Sequence, residues 1–272
     1  MDKEFFYISL FNSKHIGDDG AYIDGFVYSA DAFFEDVHFK REWMDLESIA
    51  QKAMLVNLSD AVAMNADPLY ALITVALPKN FTPKELASLA KGFEKTAKEW
   101  GVEIIGGDTI ASDKLHISIT IVSRTKRPLK RKPLRRGYLL GYTGEIGEVG
   151  RDLRKLLRGG KVHRRSKFVR PRIRRDFMKR AHRVLRAAMD MSDGLFDDLG
   201  KMAKLNRVGV EFFAPIPKRQ GCSGEEYELL FAIDPRDKKA LLRRAKMSRT
   251  KINIFGRVVR GRYTNLCKPH HF

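Results

Sequence analysis

The period of the apolar positions changes along the chain, and each change marks an element. In AYIDGFVYSADAF two β-rich arms flank Asp24-Gly25, a strong short turn signal, and predict a hairpin. From Asp45 the period lengthens: LESIAQKAMLVNLSDAVAMNADP carries its apolar residues on a helical stripe and stops at Pro68. LYALITVALP reads as a buried strand, and TPKELASLAKGFEKTAKEWG as an amphipathic helix with Thr82 as N-cap and Pro83 in its first turn. VEIIGGD is a strand ending in glycines, and LHISITIVSR alternates like a half-buried strand. Near residue 130 the alternation gives way to a basic, proline-containing connector. Beyond it YLLGYTG, AAMDM, VGVEFF, YELLFAID and KINIFGRVV read as strands, with helices after SDG and at PRDKKALLRRAK. The pattern predicts an α+β fold of two mixed α/β domains, residues 1–130 and 131–272.

Composition narrows this picture. The 272 residues are 43% hydrophobic and 31% charged, a globular balance with room for a sizeable core. No apolar run approaches the ~20 residues of a membrane helix, and the start, MDKEFFYISLFNSK, is acidic where a secretory signal is basic, so a cytoplasmic location is expected. Cys222 and Cys267 are far apart and lack metal or redox spacing; they are expected to be ordinary thiols. The net charge of +19 raises nucleic acid as a partner. The excess, however, is concentrated in RTKRPLKRKPLRRG and Arg151 to Arg186, where basic residues fill the polar positions of helical patterns such as LRKLL and FMKRAHRVL. No aromatic interleaving or nucleic-acid motif accompanies them, so no membrane and no specific nucleic acid is expected.

Against this basic background the aspartates divide by context. Asp45, Asp113, Asp152, Asp176 and Asp237 lie in polar surroundings and read as surface or caps. Asp18, Asp19, Asp31, Asp60, Asp108, Asp190 and Asp193 lie at the ends of apolar strands or beside glycine, where a lone carboxylate would lose its hydration uncompensated. Several such groups without cysteine suit Mg²⁺, which takes oxygen ligands and is commonly shared with substrate phosphates. Gly17, Gly106, Gly107 and Gly194 allow close backbone approach, and Ser192 precedes a helix start, so a nucleotide phosphate site is indicated. Each piece alone has a simpler reading: GDDG as a tight turn, SDG as a helix cap made by Ser192 or Asp193, His38 as an interior histidine. GYTGEIGEVG matches no phosphate-loop form, which argues against a Walker ATPase. Asp197 and Asp198, inside the helix, are expected to face solvent or the first-turn dipole.

In order, IGDDGA, SADAFFEDVHF, AMLVNLSDAVAMNADP, IIGGDT, YTGEIG, MDMSDGLFDDLG and SGEEYELLF resemble the thiamine-monophosphate kinase family of the aminoimidazole-ribonucleotide-synthetase-like superfamily. The resemblance runs from about Gly17 to Phe231. It implies ATP-dependent phosphorylation of thiamine monophosphate to thiamine diphosphate, with several Mg²⁺ ions, in a homodimer whose N-terminal sheets pair. It places Asp19, Ser29, Ala30 through its backbone, Asp31, Asp60, Asp108, Asp190 and Asp193 at magnesium positions. Gly107, Asp108, Arg131 and Ser192 fall at ATP contacts, and His38 and Glu225 at positions that touch the thiamine substrate. The N-terminal domain is then expected to bind Mg²⁺ and ATP and to dimerise, and the C-terminal one to complete the site. This chain departs from the family at Ala32, at Asp36 where the family has glycine, and at Ser223-Gly224-Glu225-Glu226 in place of GGED; it is also short between Phe213 and Cys222. No protein nucleophile or base is expected. Other expectations are another ATP-using enzyme of the superfamily, or a basic nucleic-acid-binding protein on this fold.

Overall fold

The computed structural model describes residues 3–267. A short helix α1 (Lys3–Ser9) leads to the hairpin β1 (Ala21–Ile23) and β2 (Phe26–Phe34), whose turn holds Asp24 at φ 49° and Gly25 at φ 88°. Then follow α2 (Leu46–Ala63), β3 (Asp67–Pro78), α3 (Pro83–Trp100), β4 (Glu103–Ser112) and β5 (His116–Arg124). These strands form one sheet in the order β1-β2-β5-β3-β4, in which only β3 and β4 run parallel. Thr82 closes a capping box with Glu85, and α3 ends at Gly101 in the left-handed region, as the sequence predicts.

The second half comprises β6 (Leu139–Thr143), α4 (Glu148–Leu156), α5 (Arg175–Ala181), β7 (Leu185–Asp190), α6 (Leu195–Asn206), β8 (Gly209–Phe212), α7 (Lys218–Gly221), β9 (Leu229–Ile233), α8 (Lys238–Met247) and β10 (Ile252–Val259). Its antiparallel sheet has the order β7-β9-β6-β10-β8. Alternate residues of its strands enter two cores. Leu185, Ala188, Phe231 and Ile233 join the large core containing α2, α3, α5 and α8, while Ala187, Met189, Leu230 and Ala232 pack with α6.

Helix α2 is the element on which both sheets rest. Every residue from Ile49 to Ala63 is buried, so it is enclosed on all sides, as a central helix must be. The predicted stop at Pro68 is displaced: α2 ends at Ala63, and Pro68 is the second residue of β3, beside a bulge where the ladder does not need its missing N–H. Among the described residues no helix is long and apolar enough to cross a membrane.

One face of the first sheet carries α2 and α3; the other carries no helix or sheet among the described residues. In register across the strands, that face presents Tyr28, Val122 and Tyr70, then Ala30, Thr120 and Leu72, then Ala32, Ser118, Thr74 and Asp108. Tyr28, Tyr70, Leu72 and Ile110 are exposed large apolar residues.

The cysteines correct the expectation of ordinary thiols: Cys222 and Cys267 form a disulfide, with Cα atoms 5.6 Å apart. After β10 the chain turns back over α6, where Tyr263 Oη donates to the Phe196 carbonyl at 3.1 Å and Asn265 to Asp197, and this return brings Cys267 to the end of α7. Sequence spacing carries no signal of such a path. Closing a loop of 45 residues, the bond is expected to contribute about 2–4 kcal/mol, so reductant or Cys222→Ser should lower the denaturation midpoint. An unchanged midpoint on reduction would refute the pairing.

Candidate active site

Between the two sheets lies a cleft of about 890 Å³. Four different elements bring carboxylates into it: Asp19 from the glycine-flanked loop before β1, Asp31 from β2, Asp60 from α2 and Asp190 from the end of β7. Carboxylate oxygens of Asp19, Asp60 and Asp190 lie within 4.8 Å of one another. Asp60 and Asp190 are 8% and 4% exposed, and the Asp19 side chain 1%, so water does little to separate their charges.

The electrostatic result is that each carboxyl in the cluster holds its proton more tightly than a free one. Burial pushes Asp60 and Asp190 well above the carboxylate range, and the neighbouring aspartates add to the shift. Asp31 is raised to about 6, first by burial and then by Asp19 and Asp193. Asp19 is raised by burial in spite of Arg131, whose Nε and Nη2 lie 3.0 and 2.6 Å from its Oδ1. Arg131 also donates its backbone N–H to Asp18 Oδ1 at 2.9 Å, which fixes the connector against the Asp18-Asp19 loop. Within this cluster one arginine faces four carboxylates. The donors are all oxygen, and Ser29 adds a buried hydroxyl with no hydrogen-bond partner among the described residues. This set fits a hard divalent cation such as Mg²⁺.

The turn between β7 and α6 forms another wall. Gly194, at φ 103°, takes the N-cap position of α6, and neither Ser192 nor Asp193 caps the helix. Asp198 instead fastens the turn that precedes the helix, and of the two expectations for it, solvent or the first-turn dipole, solvent is excluded. It is fully buried, and its Oδ2 accepts from the N–H groups of Asp193 and Gly194 at 3.1 and 3.0 Å. The helix starts at Leu195, and side chains lean towards a helix N-terminus, so Asp198 reaches back to the turn. Burial raises its carboxyl to about 7 against the pull of Lys201. Asp197 is half-buried, and Asp193 is paired with Lys201.

At the far end, His38 stacks on Phe33, and its Nδ1 accepts from the Phe34 N–H at 2.9 Å. The neutral ring therefore carries its proton on Nε2. Glu225, at φ 56°, lines the same end, with its Oε2 2.7 Å from Nζ of Lys52. Tyr227 lies beside it; burial and the carboxylates, Glu225 foremost, push its phenol well above its ordinary value, so it stays a donor.

Two departures from the family gain physical accounts. Asp36 sits at φ 65°, a conformation natural to glycine and tolerated by aspartate, and its carboxylate pairs with Lys114 at 2.7 Å. Glu226 is buried away from the cleft: Oε1 accepts from Gly147 and Val149 N–H groups at 2.7 and 3.2 Å and from Ser223 Oγ at 2.6 Å, while Oε2 lies 2.9 Å from Lys167 Nζ. Its longer side chain holds the start of α4.

Asp19, Ala30, Asp31, His38, Asp60, Arg131, Asp190, Ser192, Asp193 and Glu225 thus line one cleft, and Ser29 is buried beside it on β2. Gly107 and Asp108 do not. They are exposed on edge strand β4, and Asp108 stands in register with Ala32 three strands away, roughly 14 Å at ordinary strand spacing. Gly107 has a local reason to be glycine, since a Cβ there would strike the Ile73 backbone. The sequence reading missed Lys52, Tyr227, Lys201 and the inward turn of Asp198. Of these only Lys52 left a signal, a lysine eight residues before Asp60 on the same stripe of a helix otherwise apolar there.

Because folding raises Asp31, its ionisation withdraws stability as pH climbs from about 4 through about 6. In chelator-treated protein Asp31→Asn is expected to raise unfolding free energy by on the order of 1–2 kcal/mol at about pH 8 and to change it little at about pH 4. Denaturant midpoints at the two pH values measure this, and no gain at the higher one would contradict the repulsion.

Known proteins share this arrangement of chain. Residues 17–125 match the AIR synthase related protein, N-terminal domain. The thiamine-monophosphate kinase of Nitrosopumilus maritimus is 31% identical over 238 residues, which span 80% of this chain and 77% of that one. That of Pyrococcus horikoshii is 30% identical over 250 residues, 84% of this chain and 80% of the relative. The solved structure of AaThiL complexed with AMPPCP and TMP has a TM-score of 0.82 at 26% identity, covering 96% of this chain and 91% of that one. With identity at this level across most of both chains, the protein belongs to the thiamine-monophosphate kinase family.

Proposed function

We propose that this chain transfers the terminal phosphoryl group of ATP to the phosphate of thiamine monophosphate, giving thiamine diphosphate and ADP. The observation that carries the reading is the cluster of Asp19, Asp31, Asp60 and Asp190 around one cleft, with Arg131 paired to Asp19. The acceptor is a phosphate monoester whose second pKa is ~6, so it is largely dianionic at neutral pH and no protein base is required. Transfer is direct and in line, without a phosphoenzyme.

Asp19, Ser29, the Ala30 carbonyl, Asp31, Asp60, Asp190 and Asp193 are the residues that would hold Mg²⁺, several ions in all. The chemistry bound magnesium supplies there is neutralisation and alignment of two phosphate groups that otherwise repel. Arg131, poised on Asp19, and Ser192, at the turn before α6, are assigned to the nucleotide phosphates. His38 offers its Nε2–H, and Glu225 its carboxylate, to the acceptor at the opposite end. On this reading residues 1–130 form the Mg²⁺, ATP and dimerisation domain, and residues 131–272 complete the site. The reaction is placed in the cytoplasm, where ATP is held.

A second copy of the chain is the proposed cover for the open face of the first sheet, whose Tyr28, Tyr70, Leu72 and Ile110 are otherwise left in water. Ala30 and Ala32 belong to that face and also border the cleft, so a partner seated there would border the cleft as well. Gly107 and Asp108, remote from the cleft of their own chain, are then assigned to the site of the second copy. Light scattering is expected to give twice the 31.1 kDa chain mass. Leu72→Glu should yield the single-chain mass; a wild-type protein of that mass would remove the dimer from the reading.

Turnover is tested by ADP release with Mg²⁺ and ATP, comparing thiamine monophosphate, thiamine and no acceptor. Release confined to the monophosphate is expected, and silence with all three would overturn the assignment. Asp60→Asn should lower kcat roughly 100-fold or more. Near wild-type turnover at saturating Mg²⁺ would remove Asp60 from the cation site.

A further inference from the structure

Lys52 is fully buried in the middle of α2. A buried ammonium forfeits its hydration, and only charge partners, hydrogen bonds or aromatic faces replace it. Here Nζ lies 2.7 Å from Glu225 Oε2, 4.2 Å from the ring centre of Phe168 and 5.4 Å from that of Phe33. The packing of α2 does not call for a cation at this point. The flanking residues from Ile49 to Val56 are buried, and an unbranched apolar side chain would occupy the same box between the two phenyl rings. Buried ion pairs are rarely better stabilisers than well-packed apolar residues of similar volume. What the pair does supply is a fixed position for the Glu225 carboxylate.

That position bears on the cleft. The Glu225 side chain is 23% exposed and lines the cleft wall. Its backbone N–H is tied to the Ser192 carbonyl at 2.6 Å, and with Oε2 on Lys52, Oε1 has no hydrogen bond among the described residues. A carboxylate anchored through one oxygen keeps the other as an acceptor. Lys52, Val56 and Asp60 recur at four-residue intervals on one stripe of α2, and the last two line the cleft. At 1.5 Å per residue, Lys52 and Asp60 are about 12 Å apart along the helix axis. One helix thus sets a carboxylate for cations at one end of the cleft and a cation for a carboxylate at the other.

We propose that Lys52 is a positioning residue for the acceptor: its buried ammonium aims Glu225 at the cationic or N–H-bearing ring of a substrate whose phosphate lies at the aspartate end. This rests on the phosphoryl-transfer reading above. Lys52 touches no substrate and acts only through Glu225, so its effect falls on acceptor affinity and spares the nucleotide and the chemical step.

The test is steady-state kinetics of wild type, Lys52→Met, Glu225→Gln and the double variant, with melting temperatures measured in parallel. Lys52→Met is expected to raise KM for thiamine monophosphate by about tenfold to a hundredfold, the range for a hydrogen bond to a charged group, with KM for ATP unchanged and kcat within about threefold. The double variant should be no worse than the poorer single variant, because both changes break one linkage. If Lys52→Met loses its melting transition, Lys52→Gln, which retains an N–H donor, carries the same test with a smaller rise in acceptor KM. A folded Lys52 variant with unchanged acceptor KM, or with equal rises for acceptor and ATP, overturns the positioning role while wild-type turnover leaves the phosphoryl-transfer reading standing. Wild type inactive towards thiamine monophosphate overturns both.

Discussion

The buried carboxyl groups of Asp19, Asp31, Asp60 and Asp190 converge in one cleft, and their repulsion is the constraint around which the structure is arranged. Left alone, such groups hold their protons more tightly, as the raised positions of Asp31, Asp60 and Asp190 reflect. They are kept close because each is fixed by a separate rigid element: a glycine-flanked loop, a strand, an enclosed helix and the end of a strand in the other sheet. Arg131 partly offsets the charge, and it does so from the connector between the sheets. The negative cleft and the junction of the two halves are therefore one structural object.

Helix α2 makes this arrangement possible. A helix buried on all sides positions its side chains better than a surface helix, because each rotamer is confined by neighbours. Its polar residues are not spread at random. Asn57 Oδ1 receives the Asp31 N–H at 2.8 Å, Asp60 joins the cluster, and Lys52 holds Glu225. One eighteen-residue segment thus touches both sheets and both ends of the cleft.

Much of this was legible in the sequence for definite reasons. Asp19, Asp31, Asp60 and Asp190 stood out because glycine or an apolar strand end leaves a carboxylate without water, and Thr82 to Gly101 read correctly because capping chemistry is local. What escaped detection depends on the path of the chain in space. Alternation in β4 separates two faces but does not say where β4 lies in the sheet, so the edge position that sets Asp108 three strands from Ala32 is not legible in the sequence. Whether Asp198 faces solvent or the first turn depends on the start of α6 at Leu195, which is decided by the preceding turn. Lys52 resembles a surface lysine until the helix is known to be enclosed. The two cysteines meet only because the tail crosses α6.

That crossing has a consequence for the chain when it is not folded. The Cys222–Cys267 bond ties off β9, α8 and β10 in a single covalent ring, and β9 and β10 are the two strands flanking β6. The first sheet has no such tether, and its longest-range pairing, β2 with β5, must be found by free diffusion of its ends. The denatured ensemble is accordingly lopsided: the segment from Cys222 to Cys267 is a closed loop of restricted reach, and the chain before it an open coil.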